Sequence, residues 1–159
     1  MILDEFQENH ARGHGVMVLD INNQLIAILL RSGISENLRN SSHLFPYKTY
    51  RRHDGKMCLK ALDFSKLTII DEKYIDNSRI YHFKNPNEKS FYLKNSNRIF
   101  SRVKNYINKY IKICSKIENG GTVTFRTLSP YRFSTLRNFH DELGPAWISL
   151  FNVVCVHII

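Results

Sequence analysis

The apolar positions of this chain fall into a few short runs, and the first two lie close together. Residues 16–21 and 24–30 are nearly continuous in apolar side chains and are separated only by Asn22 and Asn23. Because Asn tolerates the positive φ angles of tight turns, this pattern predicts a β-hairpin. The runs do not alternate with polar residues, so we expect both faces of these strands to be buried.

The next segment of the chain, residues 31–60, is polar and basic. It contains Gly33, Pro46 and Gly55 together with clusters of Ser and Asn. These features predict a long functional loop with a short helix near residues 36–39, because irregular segments of this length in small domains usually carry function.

Further apolar runs predict two more strands and two helices. The strands are expected at residues 67–70 and 80–83, and the Pro-containing segment 85–87 ends the second of them. Apolar residues recur at helical spacing over residues 96–117, and a shorter helix is expected over residues 135–143. This order of elements predicts an α+β fold with an antiparallel sheet.

The long predicted helix carries a basic face opposite its apolar face. Its cations are Arg98, Arg102, Lys104, Lys109, Lys112 and Lys116. Such a face is either simply solvated or follows the phosphate backbone of a nucleic acid, and the helix alone does not decide between these interpretations.

Composition limits the classes of protein to which the chain can belong. Its 159 residues, 43% of them hydrophobic, predict a single domain over residues 1–159 with a real core. The formal net charge of +9 favours a nucleic acid partner over a merely soluble basic protein. Three widely spaced cysteines indicate a reducing compartment, and the sequence contains neither a signal peptide pattern nor a membrane-spanning run. We therefore expect a cytoplasmic protein.

The sequence contains none of the common nucleotide-binding, serine hydrolase or zinc protease motifs, and we expect neither a metal nor a cofactor. The candidate chemistry lies instead at the open end of the predicted hairpin. One basic segment precedes the first strand and another follows the second, so four side chains are expected at one sheet edge: Arg12, His14, Arg31 and Ser32.

These residue types suit RNA cleavage without a metal. Guanidinium groups can stabilise the extra charge on a pentacoordinate phosphate, and an imidazole or hydroxyl can move the proton of a ribose 2′-OH. The alternative is that these residues only end the two strands, with the arginines in solvent.

Several short motifs occur in an order and spacing that resemble a known family. They are Arg12-Gly13-His14-Gly15, Leu29-Leu30-Arg31-Ser32, Leu62-Asp63-Phe64-Ser65-Lys66 leading into Leu67-Thr68-Ile69-Ile70, and Ser134-Thr135-Leu136 with Phe139-His140 and Glu142-Leu143-Gly144. The family is the type III toxin–antitoxin endoribonucleases, in the TenpN- and CptN-like branch, with ToxN and AbiQ as more distant relatives. The resemblance covers about residues 10–144. The tail, residues 145–159, contains no charged side chain and departs from the family, as does the short segment before residue 10.

The resemblance implies a compact, strongly twisted antiparallel sheet, similar to the MazF/Kid barrel, with helices around it. It implies metal-independent cleavage that leaves a 2′,3′-cyclic phosphate. It also implies inhibition by a repeated, pseudoknotted RNA antitoxin that the toxin itself processes, a closed toxin–RNA assembly, and a role in abortive infection as a phage defence.

The resemblance also suggests roles for single residues. Ser32 takes the position of the active-site hydroxyl, Arg31 and Arg12 take basic positions, and His43 becomes a candidate general acid or base. Phosphate or base contacts are expected from His14, Tyr47, Lys48, Arg51, Arg52 and Lys66, with Tyr50 as another candidate for stacking.

Two other functions stay open at this point. One is an RNA-binding module without catalysis, and the other is a protein-interaction domain with an acidic partner. The basic, aromatic segment 47–52 is compatible with the second alternative.

Overall fold

The predicted hairpin forms the middle of a curled antiparallel sheet. In the computed structural model, which describes residues 15–76, 82–139, 143 and 156–158, strands β1 (Val16–Ile21) and β2 (Gln24–Ser35) pair in continuous register. Asn22 and Asn23 have φ angles of 57° and 61°, as a two-residue hairpin turn requires. The hairpin prediction is confirmed.

The predicted loop over residues 31–60 is wrong, because most of this segment belongs to the sheet. β2 continues to Ser35, and two long strands follow, β3 (Leu44–Arg51) and β4 (Met57–Ile70). β3 is paired only with β4 among the described strands, and an edge strand tolerates both Pro46 and outward polar side chains. The expected short helix is a 3₁₀ helix at Glu36–Leu38.

The strand order is β3-β4-β2-β1-β5, and every pairing is antiparallel. β5 (Val156–Ile158) lies in the uncharged tail and pairs with β1, with Met17 opposite Ile158. Strands β1 to β4 form a curled half-barrel. The prediction of an α+β fold with an antiparallel sheet is confirmed.

The described part of the chain contains three α-helices beside the sheet: α1 (Pro86–Lys94), α2 (Ser96–Glu118) and α3 (Phe125–Leu128). α2 confirms the long predicted helix. α1 was not predicted, because Asn85-Pro86 was interpreted as a break. It is instead a helix start, in which the Asn85 side chain accepts a hydrogen bond from the Asn87 N–H at 2.9 Å and Pro86 takes the first position.

Two further predictions are corrected or only partly tested. Ile80 and Tyr81 lie outside the described residues, and the following His82 and Phe83 are not in a strand. In the region of the predicted helix over residues 135–143, the structure shows a short 3₁₀ helix at Thr135–Asn138. None of the described helices is long and apolar enough to cross a bilayer.

The main core lies between one face of the sheet and α2. Alternate residues of β1, β2 and β4 pack against the buried side of α2, which consists of Ile99, Val103, Tyr106, Ile107 and Tyr110. The other face of β2 is only half-buried at Leu25, Ala27 and Leu29, so the expectation that both faces are fully buried is wrong for this strand. A second, smaller buried cluster lies on that face and consists of Ile34, Leu44, Leu59 and Ala61.

Candidate functional site

A buried carboxylate lies at the centre of β4. Asp63 has a side chain that is only 3% exposed, and it forms a short ion pair with the Arg31 guanidinium. Its second oxygen accepts hydrogen bonds from the Ser65 hydroxyl at 2.6 Å and the Ser65 N–H at 3.0 Å. A buried charge with this set of partners is held in one orientation, and it fixes the guanidinium of Arg31 in turn.

Irregular strand pairing places these groups side by side. Ala27 pairs with Thr68 and Leu29 pairs with Asp63, so a step of two residues along β2 matches a step of five along β4. Residues 64–67 therefore bulge out of the ladder immediately after Asp63. Bulges bend a strand and re-aim its side chains, and here the bulge turns Ser65 back onto Asp63.

A second bulge lies on β2, directly after Arg31. Arg31 pairs with Ala61 and Ile34 pairs with Leu59, so Ser32 and Gly33 on β2 lie opposite a single residue of β4. Gly33 has a φ angle of 77°, which glycine adopts without the steric cost that other residues have. The bulge leaves Ser32 exposed to solvent next to Arg31.

His43 joins this cluster just before β3. Its carbonyl accepts a hydrogen bond from the Phe64 N–H at 2.8 Å, which fixes it beside the β4 bulge. Burial lowers the pKa of His43 below its ordinary value of 6.5, with Asp63 raising the pKa and Arg31 lowering it further. The imidazole is therefore neutral at pH 7 and able to accept a proton.

A second arginine reaches the same place from α2. The Arg102 guanidinium donates a 3.4 Å hydrogen bond to the Ser42 carbonyl, next to His43. It also lies over the rings of Phe45 and Phe64, at 5.5 and 5.8 Å. Arg31 and His43 thus lie in the electrostatic environment of the buried carboxylate, and Arg102 adds a second guanidinium at the carbonyl that precedes His43.

The segment after α3 closes the other side of the bulge. The Thr135 hydroxyl donates to the carbonyls of Leu67 and Ser65, and the Lys66 ammonium donates to the Phe133 carbonyl at 3.0 Å. In the structure the Lys66 side chain links β4 to the segment after α3. The expected contact between Lys66 and a phosphate stays a prediction.

The structure brings together part of the predicted site. Arg31 and His43 share the electrostatic environment of Asp63, and Ser32 is adjacent. Arg12 and His14 lie outside the described residues. The Gly15 carbonyl accepts from the Leu30 N–H at 2.8 Å, so the chain enters β1 at the end of the hairpin where Arg31 lies.

The remaining predicted residues lie apart from this cluster. Lys48 and Arg51 are exposed on β3, and Arg52 forms a 3.6 Å ion pair with Asp54 in the turn that follows. Arg51 is about 26 Å along the strand from His43, at about 3.3 Å per residue. The ring of Tyr47 packs on Phe91 of α1 at 5.0 Å, which gives it a structural contact.

Sequence reasoning missed Asp63 and Arg102 as site residues. The signal for Asp63 was present, since a carboxylate between the apolar Leu62 and Phe64 in a strand needs a cationic partner. Arg102 was seen only as one of several cations on α2. Among the described residues, no group of three or more His, Cys, Asp or Glu side chains is arranged to hold a metal ion.

The lowered pKa of His43 predicts a pH dependence of stability. Below pH 6.5 the unfolded chain binds a proton at this residue while the folded protein does not, so stability falls as the pH falls toward the folded-state pKa. We expect the free energy of unfolding, measured in urea between about pH 5 and 7.5, to decrease on acidification. The variant His43→Gln should show a shallower decrease, and an unchanged slope would contradict the assignment.

Comparison with protein-family models gives no match, and searches of the curated proteins and of the solved structures give no significant match. The resemblance to type III toxins therefore stays a prediction, and the site has to be interpreted from its own geometry.

Proposed function

We propose that this protein is a metal-independent endoribonuclease toxin of a type III toxin–antitoxin system. The observation that carries the proposal is the neutral, half-buried His43 beside the Arg31–Asp63 ion pair of β2 and β4. A proton acceptor and fixed guanidinium groups are the two requirements for cleaving RNA through its own 2′-OH.

In the proposed reaction, His43 accepts the proton of a ribose 2′-OH. The 2′-oxygen attacks the adjacent phosphorus, a new P–O bond forms, and the bond to the 5′-oxygen of the next nucleotide breaks. The products are a 2′,3′-cyclic phosphate and a 5′-hydroxyl end. Arg31 and Arg102 stabilise the negative charge on the non-bridging oxygens. Exposed Ser32 can donate a hydrogen bond to the departing oxygen, which takes its proton from solvent.

The wider toxin assignment has two supports. A half-barrel of antiparallel strands accompanied by helices is compatible with the MazF-like architecture that the family resemblance implies. The net charge of +9 suits a polyanionic inhibitor as well as a polyanionic substrate. We propose that the inhibitor is a repeated RNA antitoxin, processed by the toxin and bound in a closed assembly, and that the system acts in phage defence.

The test is cleavage of a synthetic RNA by the purified chain in the presence of EDTA. We expect products that end in a 2′,3′-cyclic phosphate by mass spectrometry, and no cleavage of the same RNA with 2′-deoxy sugars. Ser32→Ala is the variant to compare with the wild type, because Ser32 is exposed and its substitution leaves the ion pair between Arg31 and Asp63 intact. In cells, expression should arrest growth, and co-expression of a repeat RNA encoded beside the gene should restore it. Intact RNA after incubation with folded protein would refute the enzymatic part of the proposal.

A second candidate is an RNA-binding protein without catalysis. It is favoured by the short ion pair of Arg31 with Asp63, which neutralises one of the two cations at the site. This candidate predicts salt-sensitive RNA binding with no cyclic phosphate product.

A further inference from the structure

A line of cations runs along the exposed side of α2. Arg98, Arg102, Lys109, Lys112 and Lys116 follow one another at intervals of three, four or seven residues, which places them on one stripe of a helix. The buried side of α2 begins instead at Ile99 and Val103, so the stripe borders the core without entering it.

In the part of the chain that the structure describes, no carboxylate forms an ion pair with this stripe. Between Ser96 and Ile117 the sequence of α2 contains no acidic residue, and Glu118 is the first. None of the ion pairs within 4.0 Å among the described residues involves a cation of the stripe. Most surface helices mix charges of both signs, so an unmixed stripe indicates a polyanionic ligand.

The stripe passes the segment that carries His43 and ends in a groove. Arg102 contacts Ser42 beside His43, as described above. Lys112 and Lys116 line a groove of about 250 Å³ together with Thr122, Thr124 and Thr127.

A close turn builds this groove. The Gly121 N–H donates to the Lys116 carbonyl at 2.8 Å, and a side chain at Gly121 would meet the stem of Lys116 at 2.7 Å. The glycine lets residues 122–127 fold back beside the last turns of α2, which places three threonines in the same groove as Lys112 and Lys116. Two exposed ammonium groups beside one groove suit a phosphate group.

An exposed aromatic ring lies next to the groove. Phe125, in α3 between Thr124 and Thr127, is 75% exposed. An aromatic ring of this kind beside a basic groove is a platform on which an unpaired base can stack. Since bases within a duplex are already stacked on each other, the ring favours a single strand over a duplex.

We propose that the α2 stripe and its terminal groove bind a single-stranded segment of the RNA whose cleavage site lies at His43. The phosphates follow Arg102, Lys109, Lys112 and Lys116, and a base stacks on Phe125. From Arg102 to Lys116 the helix rises about 21 Å at 1.5 Å per residue. At about 3.4 Å per stacked nucleotide, this length accommodates about six nucleotides beyond the scissile bond. The inference that this ligand is the substrate rests on the proposed function. The inference that the ligand is a single-stranded RNA is independent of the proposed function.

The test separates the stripe from the cleavage site. A 2′-O-methyl RNA of about twelve nucleotides, which cannot be cleaved through its 2′-oxygen, is titrated between roughly 50 and 200 mM salt. The variant is Lys109→Gln/Lys112→Gln/Lys116→Gln. The control is Lys84→Gln/Lys89→Gln/Lys94→Gln, which removes the same charge from exposed positions in and near α1. Gln and Lys have nearly equal helix propensity, and circular dichroism verifies that α2 is retained.

We expect the magnitude of the negative slope of log K against log salt to decrease by about 2 in the stripe variant. Each of the three lost single-strand phosphate contacts removes about 0.7. The affinity should fall more than tenfold at the lowest salt, where the phosphate contacts contribute most, while the control should change the slope by less than one. Phe125→Ala should weaken binding roughly tenfold and leave the slope unchanged.

Equal slopes for the stripe variant and the control would overturn the proposal. Tighter binding of an RNA duplex than of the single strand, unaffected by Phe125→Ala, would also overturn it. So would a loss of affinity for polyglutamate equal to the loss for RNA, which would assign the surface to an acidic protein. Cleavage is scored separately. A dinucleotide, too short to reach the groove, should be cleaved equally by wild type and stripe variant. Stripe-dependent binding without any cleavage would refute the proposed function and leave this inference standing.

Discussion

Asp63→Ala is expected to lower the free energy of unfolding by about 2–4 kcal/mol. Removing one member of a buried ion pair leaves the other charge without its partner and typically costs 3–5 kcal/mol. We place the value lower because the Arg31 side chain is 42% exposed and water can solvate it in part. Ser65 also loses its acceptor, and the bulge that holds His43 in place loosens with it.

Urea unfolding followed by circular dichroism measures this effect. Asp54→Ala is the matched control, because it removes an exposed carboxylate from the turn after β3 and should change stability far less. The double variant Asp63→Ala/Arg31→Met should be more stable than the sum of the single effects predicts, because neither charge is then left alone. Additive effects, or a loss no larger than that of Asp54→Ala, would show that the ion pair does not organise the site.

His43→Gln is expected to reduce RNA cleavage by about 10²–10⁴-fold while leaving the protein folded. This is the usual contribution of a positioned general base. For the wild type, the rate should rise with pH to a plateau, with the midpoint below 6.5, because burial lowers the pKa of His43 and only the neutral imidazole accepts the proton.

Single-turnover cleavage of a short RNA across this pH range measures both properties. His53→Gln serves as the control, since His53 is exposed in the turn after β3 and should leave the rate and its pH profile unchanged. A His43→Gln variant that keeps the wild-type rate would remove His43 from the mechanism, even if the protein cleaves RNA.

The parts of the fold that follow one regular period were predictable from sequence. The β1–β2 hairpin has a two-residue Asn turn between apolar runs, and α2 repeats its apolar positions over six turns. β3 and most of β4 were missed because their pairing is irregular. Bulges interrupt the alternation around Tyr47 and over residues 64–67, and polar side chains at the edge made a strand look like a loop.

The candidate site was predictable only where it lies close to the hairpin. Arg31 and Ser32 lie in β2 directly after the apolar run that predicts this strand. His43 and Asp63 meet through the β3–β4 register, which the sequence pattern did not reveal, and Arg102 arrives from a helix. Long-range pairing of this kind leaves little trace in local residue patterns.

The Pro46 position has a consequence for the protein at high concentration. A sheet edge displays unpaired N–H and C=O groups that can recruit a strand from another molecule. On β3, Pro46 removes one donor, a bulge at Tyr47 breaks the ladder, and Lys48 and Arg51 add like charges. This edge is therefore a poor template for a second copy, which protects a chain with so many β-forming residues against aggregation.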